Sequence, residues 1–231
     1  MIDLTVIIPV YNEVSTINKI IKKINKLKIN KQIIVVDDGS KDGTKKIINK
    51  NKSRINKILF HKKNYGKGSA IRSAQKFIKG KYVIIQDADL EYEPKDYFKL
   101  LNKLKKKKFK VVYGSRVLGK KRYFLTNFTS ITRIFFNHLL TILSNILNNQ
   151  KLSDAHTCYK AFDAKIFKKI KLQENGFAFC PEITTKISNL NLNICEVPIS
   201  YNGRNYKQGK KITYFDGVEA IIALLKYKYL K

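Results

Sequence analysis

The segment Gln86–Pro94 (QDADLEYEP) places four acidic residues at alternate positions directly after the apolar run Tyr82–Ile85. Acidic residues are otherwise scarce, because the chain has 17 Asp and Glu against 47 Lys and Arg. Asp87 and Asp89 lie two residues apart just past a predicted strand, so their side chains point the same way. Carboxylate oxygens suit a hard divalent cation, and the segment therefore predicts a metal site.

A second polar segment, Asn64–Ala70 (NYGKGSA), is rich in glycine and precedes a helical pattern. The backbone N–H groups at such a helix start, together with Lys67, could contact a phosphate, although a plain helix-starting turn explains the same residues. The segment lacks the GxxxxGK[ST] frame and the third glycine of GxGxxG. The chain also has no GxSxG, HExxH or CxxC motif, so hydrolases of those kinds and a zinc site have no support.

The elements that must position these segments are short apolar runs with the β-branched and aromatic composition of buried strands. The runs are Leu4–Ile8, Ile33–Val36, Ile58–Phe60, Tyr82–Ile85 and Val111–Tyr113. Between them, apolar residues recur with helical spacing over Ile17–Leu27, Ala70–Ile78 and Phe98–Leu104. This alternation of strands and helices predicts an α/β fold with a doubly wound, mostly parallel sheet.

Ligands of such sheets bind beyond the carboxyl ends of the strands. Each predicted strand is followed there by polar residues, in the order PVYNE, DDGSKDGT, NYGKGSA, QDADLE and GSR. We therefore expect these segments to converge on one cleft, built by residues 1–116. No repeat or low-complexity linker divides the chain, so we expect a single domain over residues 1–231.

Residues 117–231 follow a different pattern. Polar residues interrupt the apolar ones between Tyr123 and Leu147, and no run approaches the roughly 20 residues that a spanning helix needs. One or two amphipathic surface helices are predicted at about 122–148, and their apolar side could lie on a membrane or pack onto the sheet. That side comprises Phe124, Phe128, Ile131, Phe135, Leu139, Ile142 and Ile146. The remaining sequence predicts strands at Thr157–Phe162 and Ile194–Ile199 and a basic loop at Gly203–Lys211. It also predicts a helix at Pro181–Leu190 and a final helix that begins at about Tyr214.

The formal net charge of +30 permits a nucleic-acid binder, a protein on an anionic membrane, or an enzyme for phosphorylated substrates. Three widely separated cysteines, Cys158, Cys180 and Cys195, favour reduced thiols. The N-terminus, MIDLTVIIPVYNE, begins with an acid and reads as a strand, so it does not predict a signal peptide. We therefore expect a cytoplasmic protein.

Taken in order, VIIPVYNE, VVDDGSKDGT, NYGKGSAIRSA, IIQDADLEYEP and VVYGSR resemble the inverting glycosyltransferases of the GT-A type, in glycosyltransferase family 2. The second half, with LSDAHTCYKAF, FCPEITTKI and EVPISYNGRNYKQGKKI, is similar to the polyprenyl-phosphate sugar synthases, which include dolichol-phosphate mannose and glucose synthases. The resemblance extends from about Thr5 to Tyr227. It implies a GT-A fold with a nucleotide-sugar site at the carboxyl ends of the strands, and a hexosyltransferase activity.

The resemblance also implies the residues that bind the donor. Asp87, Asp89 and Glu91 match the positions that hold Mg²⁺ or Mn²⁺ on the diphosphate of a nucleotide sugar, and Asp89 would be a catalytic residue. The other residues expected at the nucleotide sugar are Pro9, Tyr11, Glu13, Asp37, Asp38 and Lys67. Arg204, Lys210 and Lys211 match a mobile basic loop that closes on the diphosphate.

The acceptor implied by the resemblance is a polyprenyl phosphate. Its approach to a diphosphate is opposed by roughly 4 kcal/mol for each pair of unit charges at ~4 Å and an effective dielectric constant near 20. Arg116, Arg133 and Asn137 match the family's acceptor-phosphate contacts, and the two arginines would be catalytic. A phosphate oxygen is already a nucleophile at neutral pH, so the reaction needs no general base and would invert C1 through a transition state with oxocarbenium character.

The sequence departs from the family at two places. His156 stands where relatives of the DMETCYK kind have an acid, and no hydrophobic spans follow Lys231. We therefore expect a peripheral protein on the cytoplasmic face of the membrane, attached by its surface helices and positive charge.

Other functions remain open. A saccharide hydroxyl could be the acceptor, in cell-surface polysaccharide synthesis, and that reaction would need a base, for which Asp154 and Glu182 are candidates. A basic nucleic-acid-binding protein is a distant alternative that no binding motif supports. UDP-glucose, GDP-mannose and UDP-N-acetylhexosamines all fit the donor motifs, with DADLEYEP and TCYK closer to the glucose synthases. The sequence predicts no oligomeric state.

Overall fold

The computed structural model of the protein describes residues 2–119, 131–204 and 214–230, and for Ile131, Arg133 and Tyr214 it describes the backbone alone. The strands are β1 Leu4–Val10, β2 Lys31–Asp37, β3 Lys57–Phe60, β4 Tyr82–Ile85, β5 Val111–Ser115, β6 Lys160–Asp163 and β7 Ile194–Pro198. The α-helices are α1 Ile17–Asn25, α2 Thr44–Lys50, α3 Lys67–Gln75, α4 Tyr97–Lys105, α5 Ile131–Asn148, α6 Ala164–Lys169, α7 Phe179–Asn189 and α8 Tyr214–Tyr229. Two short 3-10 turns cover Lys52–Arg54 and Pro94–Asp96.

The strands form one sheet in the order β3-β2-β1-β4-β6-β5-β7. All neighbouring pairs are parallel except those of β6, which runs antiparallel to both β4 and β5. The predicted doubly wound, mostly parallel sheet is therefore confirmed. Strand β1 pairs with β2 on one side and with β4 on the other, so the direction of the strand order reverses between β1 and β4. Sheets of α/β proteins bind their ligands beside such a switch point.

Helices cover both faces of the sheet, and the period of two along each strand divides the core into two layers. In β1, Val6 and Ile8 enter the layer with α1 and α4, whereas Ile7 enters the layer with α3 and α7. The central strands are buried on both faces, which explains why they read as continuous apolar runs.

The boundaries of β6 differ from the prediction. The expected strand Thr157–Phe162 begins only at Lys160, because the backbone before it bonds outside the ladder. The Thr157 N–H donates to the Asp154 carbonyl at 3.5 Å, and the Cys158 N–H donates to the Tyr92 hydroxyl at 3.1 Å. Short helices α2 and α6 were not predicted, since each buries too few apolar residues to show helical spacing.

Helix α5 covers the described part of the segment predicted to be amphipathic, and α8 packs against both α5 and α7. Ile134 of α5 is buried, whereas four of the predicted apolar positions are exposed, namely Phe135, Leu139, Ile142 and Ile146. Those four side chains therefore do not pack onto the sheet. Phe124 and Phe128 lie outside the described residues, as does the side chain of Ile131. No helix within the described ranges is long and apolar enough to cross a membrane.

Candidate functional site

A cavity of about 400 Å³ lies at the carboxyl ends of the parallel strands, beside the switch point. Its size is that of a small-molecule site. The predicted site residues that line it are Pro9, Tyr11, Glu13, Asp38, Lys67, Asp87, Asp89, Glu91, Arg116 and Arg204. The structure thus brings together segments that follow β1, β2, β3, β4, β5 and β7.

Other predicted residues lie elsewhere. Asp37 is buried at the end of β2, where its carboxylate accepts a hydrogen bond from the Ser40 N–H at 3.3 Å, and it does not line the cavity. Asn137 is half-buried on α5 and is also absent from the lining. Lys210, Lys211 and the side chain of Arg133 lie outside the described residues. The assignment of these residues to substrate stays a prediction.

Asp87 pairs with the first residue of α3. The Lys67 ammonium donates a hydrogen bond to Asp87 Oδ1 and lies 3.1 Å from Cys158 Sγ. Burial by itself would lower the pKa of Lys67, but the Asp87 carboxylate more than offsets this and holds the pKa above its usual value. Lys67 is therefore charged, and it balances Asp87 at the floor of the cavity.

Asp89 and Glu91 face a different cation, Arg204. Arg204 Nη2 lies 3.3 Å from Asp89 Oδ2, and its Nη1 and Nη2 atoms lie 3.1 and 3.0 Å from the two oxygens of Glu13. Between the two acids, Leu90 has a φ of 65°, a left-handed conformation that non-glycine residues rarely adopt. The Glu91 N–H donates to Asp89 Oδ1 at 3.0 Å in this turn. Burial and the nearby Asp87 and Glu91 charges raise the pKa of Asp89 to about 7.

The donor set of Asp87, Asp89 and Glu91 suits a divalent cation chemically, because all the ligand atoms are carboxylate oxygens. The three carboxylates are nevertheless divided between Lys67 and Arg204. Among the described residues, no group of three or more acidic, histidine or cysteine side chains is arranged to hold a metal ion. The three carboxylates therefore suit Mg²⁺ or Mn²⁺ as ligands, but in this structure they form ion pairs with Lys67 and Arg204.

The glycine-rich segment before α3 is built around Asp38. The Asp38 carboxylate accepts hydrogen bonds from the N–H groups of Tyr65 at 3.0 Å and Gly66 at 2.7 Å, and it lies 2.6 Å from His61 Nδ1. Gly66 has a φ of 98°, and a Cβ there would lie 2.4 Å from the Asn175 carbonyl oxygen. Gly66 is therefore required by the turn geometry and the close packing. Asp38 fixes the backbone of this segment, which forms one wall of the cavity. His61 was not predicted, because its pairing with Asp38 spans 23 positions of sequence.

Arg116 reaches the cavity from the end of β5 and is fixed by Asp154. Its Nε atom lies 2.7 Å from Asp154 Oδ2 and its Nη2 atom 2.8 Å from Oδ1, while its backbone N–H also donates to Oδ2. Burial would raise the pKa of Asp154, but Arg116 lowers it below its usual value. Glu196 in turn accepts hydrogen bonds from the Ser153 and Asp154 N–H groups, which fixes the loop that carries Asp154.

Glu182 lies on α7 and is fully buried. Its two carboxylate oxygens accept hydrogen bonds from the N–H groups of Gln173 at 2.6 Å and Glu174 at 3.0 Å, and Lys186 donates to it at 2.6 Å. Glu182 and Asp154 both lie outside the lining of the cavity. Their contacts give them roles in holding neighbouring loops.

His156, Cys158, Tyr92 and Phe177 also line the cavity. Burial, followed by the charges of Lys160 and Arg116, lowers the pKa of His156 to about 4, so the imidazole is neutral at pH 7. Burial and Asp87 raise the pKa of the Cys158 thiol, which is therefore protonated. Only the departure at His156 was visible in the sequence. Tyr92, Cys158 and Phe177 carry no such signal, since apolar and thiol side chains there match ordinary core residues.

The sequence pattern of Glycosyl transferase family 2 matches residues 5–171. An uncharacterised protein of Methanocaldococcus jannaschii is 31% identical over 97% of this chain and 99% of its own length. The dolichyl-phosphate beta-glucosyltransferase of Dictyostelium discoideum is 30% identical over 98% of this chain and 75% of its own length. Glucosyl-3-phosphoglycerate synthase of Mycobacterium tuberculosis, in a complex with Mn²⁺, UDP and glucosyl-3-phosphoglycerate, superposes with a TM-score of 0.73 at 16% identity, over 99% of this chain and 81% of that one. The predicted GT-A fold and family resemblance are confirmed.

Proposed function

Because this chain belongs to glycosyl transferase family 2, we propose that it moves a hexose from a nucleotide sugar to a polyprenyl phosphate, with inversion at C1. Family membership makes the protein a nucleotide-sugar-dependent hexosyltransferase. The lipid phosphate acceptor, the stereochemistry and the use of Mg²⁺ or Mn²⁺ are the proposal. The observation that carries it is that Asp154 and Glu182 do not line the cavity and are committed to Arg116 and to backbone N–H groups.

A hydroxyl acceptor needs a base to remove its proton, whereas a phosphate oxygen does not. Asp154 is paired with Arg116, which lowers its pKa and makes it a weak base. Glu182 is fully buried, and its oxygens accept hydrogen bonds from two backbone N–H groups. Neither residue lines the cavity. These contacts favour an acceptor that is ionised before it binds.

Basic side chains also line the cavity in which the donor diphosphate and the acceptor phosphate would meet. Lys67 lies at its floor, Arg116 on its wall and Arg204 at the acidic turn. Each pair of unit charges at ~4 Å costs roughly 4 kcal/mol at an effective dielectric constant near 20, so the approach of two phosphates requires such cations. The ion pair with Asp154 holds the Arg116 side chain in one orientation before a ligand binds. Arg133 and Asn137 of α5 would extend this set toward the lipid.

In the proposed reaction, an oxygen of the acceptor phosphate attacks the sugar C1 on the face opposite the nucleotide. A C1–O bond to the acceptor forms while the C1–O bond to the diphosphate breaks, and the nucleoside diphosphate leaves with the electron pair. No proton has to move. A divalent cation at Asp87, Asp89 and Glu91 would neutralise charge on the diphosphate. Glu13, Asp38, Pro9 and Tyr11 would bind the nucleoside, and UDP-glucose is the donor we favour, because the Dictyostelium relative is a glucosyltransferase.

We also propose that the protein binds the cytoplasmic face of a membrane through α5 and α8. Exposed large apolar side chains cluster on these two helices, which pack against each other. On α5 they are Phe135, Phe136, Leu139, Ile142 and Ile146, and on α8 they are Phe215, Val218, Ile221, Ile222, Leu225 and Tyr229. An apolar surface this extensive marks an interaction site. The occupant we propose is a lipid bilayer, because the net charge of +30 favours an anionic surface and the acceptor is a lipid.

An acceptor screen tests this function. Short-chain prenyl phosphates and soluble saccharides are offered with UDP-glucose, GDP-mannose or UDP-N-acetylglucosamine, in the presence of Mn²⁺. We expect transfer to the prenyl phosphate alone. Arg133→Ala should abolish acceptor use while nucleotide-sugar binding stays near normal, and Arg54→Ala, which removes an arginine far from the cavity, should transfer normally. Normal transfer by Arg133→Ala, or transfer only to a saccharide, would overturn the proposal.

A further inference from the structure

Arg204 occupies the place between the acids at which a divalent cation is expected. Its guanidinium makes a two-point contact with Glu13, at 3.1 and 3.0 Å, and its Nη2 atom reaches Asp89 Oδ2 at 3.3 Å. Its Nε atom lies 3.8 Å from Glu91 Oε1. The side chain is mostly enclosed, with 18% of its surface exposed, and the three acids are more enclosed still.

Two of these three acids, Asp89 and Glu91, are predicted metal ligands. A guanidinium and a hard divalent cation compete for the same carboxylate oxygens, because both are satisfied by negative oxygen atoms at short range. Two cations close to Asp89 Oδ2 would also repel each other. A divalent cation at these acids therefore competes with Arg204 for them.

The backbone around Arg204 is anchored on the same acid. The Glu91 carboxylate accepts hydrogen bonds from the Arg204 N–H at 2.8 Å and from the Tyr201 hydroxyl at 2.9 Å. The Asn202 N–H donates to the Glu91 backbone carbonyl at 2.9 Å. Arg204 is the last residue described before residue 214, and it belongs to the predicted basic loop Gly203–Lys211. The Glu91 carboxylate thus fixes the backbone that carries the Arg204 side chain.

The contacts of Arg204 leave one donor unused. Its Nε atom is buried and has no hydrogen-bond partner among the described residues. A buried donor without a partner costs free energy, and a ligand with more acceptor oxygens would satisfy it better. The diphosphate of a nucleotide sugar is such a ligand, with several oxygens in a geometry that suits the guanidinium fork.

We propose that Arg204 is a two-position residue, which Glu13 holds on the carboxylates of Asp89 and Glu91 until a diphosphate takes over its guanidinium. The inference rests on the proposed donor. Glu13 positions Arg204 until then, in addition to its proposed contact with the nucleoside. Its own position is fixed, since its carboxylate accepts a hydrogen bond from the Thr16 hydroxyl at 2.7 Å and its N–H donates to the Thr44 hydroxyl at 2.8 Å.

The arrangement sets the order of binding. Without nucleotide, Arg204 neutralises part of the acidic turn and opposes divalent cations. With nucleotide, the diphosphate adds negative charge and releases the acids, so cation and nucleotide bind with positive coupling. Coupling of this kind between ligands is typically about 5- to 150-fold in affinity. The protein would then hold little metal until a donor is present.

Mn²⁺ binding tests this directly, with the ion measured by electron paramagnetic resonance in the absence and presence of UDP. Without UDP, Arg204→Gln should bind Mn²⁺ at least about 10-fold more tightly than wild type. Arg54→Gln removes the same charge at an exposed position away from the cavity and should bind like wild type. Adding Asp89→Ala to Arg204→Gln should abolish the gain, because the same carboxylates are used.

The UDP dependence is the second measure. UDP should tighten Mn²⁺ binding much more in wild type than in Arg204→Gln, since the variant has no guanidinium to release. Glu13→Gln should resemble Arg204→Gln in the absence of UDP, and it provides a separate test if Arg204→Gln melts before binding is measured. The inference is overturned if UDP promotes Mn²⁺ binding in wild type while Arg204→Gln and Glu13→Gln bind Mn²⁺ alone no more tightly than Arg54→Gln. A wild type that binds no nucleotide under any of these conditions would instead remove the proposed function.

Discussion

Arg116 and Asp154 form a buried ion pair with two parallel contacts, Nε to Oδ2 at 2.7 Å and Nη2 to Oδ1 at 2.8 Å. The pair joins the end of β5 to the loop before β6, and Glu196 fixes that loop by accepting backbone hydrogen bonds. Arg116 also lies over the Tyr201 ring, with the guanidinium carbon 5.2 Å from the ring centre. The pair therefore positions a cation at the cavity and commits Asp154 to that task.

The Asp154→Asn variant should lose both stability and transfer. Removing one charge from a buried ion pair leaves the other uncompensated and costs about 3–5 kcal/mol. Urea unfolding measures this loss, and Asp3→Asn, at the opposite end of the sheet, is the matched control that should unfold like wild type. A variant that unfolds like wild type but transfers nothing would indicate that Asp154 acts as a base instead.

Asp38→Ala should destabilise the segment before α3 and weaken nucleotide binding together. The substitution removes the acceptor of the Tyr65 N–H and one of the two acceptors of the Gly66 N–H, which also donates to Asn64 Oδ1 at 2.9 Å. Hydrogen bonds to a charged acceptor contribute about 1.5–3 kcal/mol each. Asp38→Asn keeps one oxygen acceptor and should show a smaller change in melting temperature. Calorimetric titration with UDP measures the affinity. Lost affinity with unchanged stability would show that Asp38 acts only through its contact with the nucleoside and does not support the segment before α3.

Much of this organisation could be predicted from the sequence. The five strands of the first half were placed within about two residues of their ends, because continuous β-branched runs are characteristic of strands buried on both faces. The position of the cleft could also be predicted, because the carboxyl ends of parallel strands lie at one edge of the sheet. Ten predicted site residues line the cavity.

The partners of those residues could not be predicted. Lys67 with Asp87, Arg204 with Glu13, and Arg116 with Asp154 are separated by 20, 191 and 38 positions, and each pairing depends on how the elements pack. The late start of β6 depends in the same way on Tyr92, which accepts a backbone hydrogen bond from Cys158. Local patterns indicate elements, whereas these long-range pairs arise only in the folded chain.

The stability of the protein should fall between pH 6.5 and pH 4 in a way that depends on His156. The unfolded chain binds a proton at this imidazole below about pH 6.5, whereas burial lowers the pKa in the fold to about 4. Stability is therefore fully present above pH 6.5 and decreases as the pH falls, by at most about 3 kcal/mol from this residue. Urea unfolding of wild type and His156→Gln across this range checks the effect. Parallel curves for the two proteins would contradict the lowered pKa of His156.

Wild type should sediment with anionic liposomes, and an acidic residue on α5 should release it without unfolding it. Leu139 is 45% exposed on α5, so Leu139→Asp should leave the melting temperature unchanged and lower liposome binding about 10-fold. Phe98→Asp, at a position 42% exposed on α4, is the matched control and should bind like wild type. Salt should weaken binding but not abolish it, because the apolar surface persists. Failure of wild type to sediment at low salt would contradict membrane attachment.

The central claim is that the acceptor is a phosphate oxygen that needs no general base. It is tested most directly by offering the wild-type enzyme a prenyl phosphate and the matching prenol at equal concentration in detergent, with labelled UDP-glucose and GDP-mannose as donors and Mn²⁺ present. The products are separated and identified by mass spectrometry. The structure predicts an acid-labile glycosyl phosphodiester of the prenyl phosphate and no glycoside of the prenol, because Asp154 and Glu182 are committed elsewhere. Transfer to the prenol, or a product formed only when a saccharide hydroxyl is supplied, would contradict it.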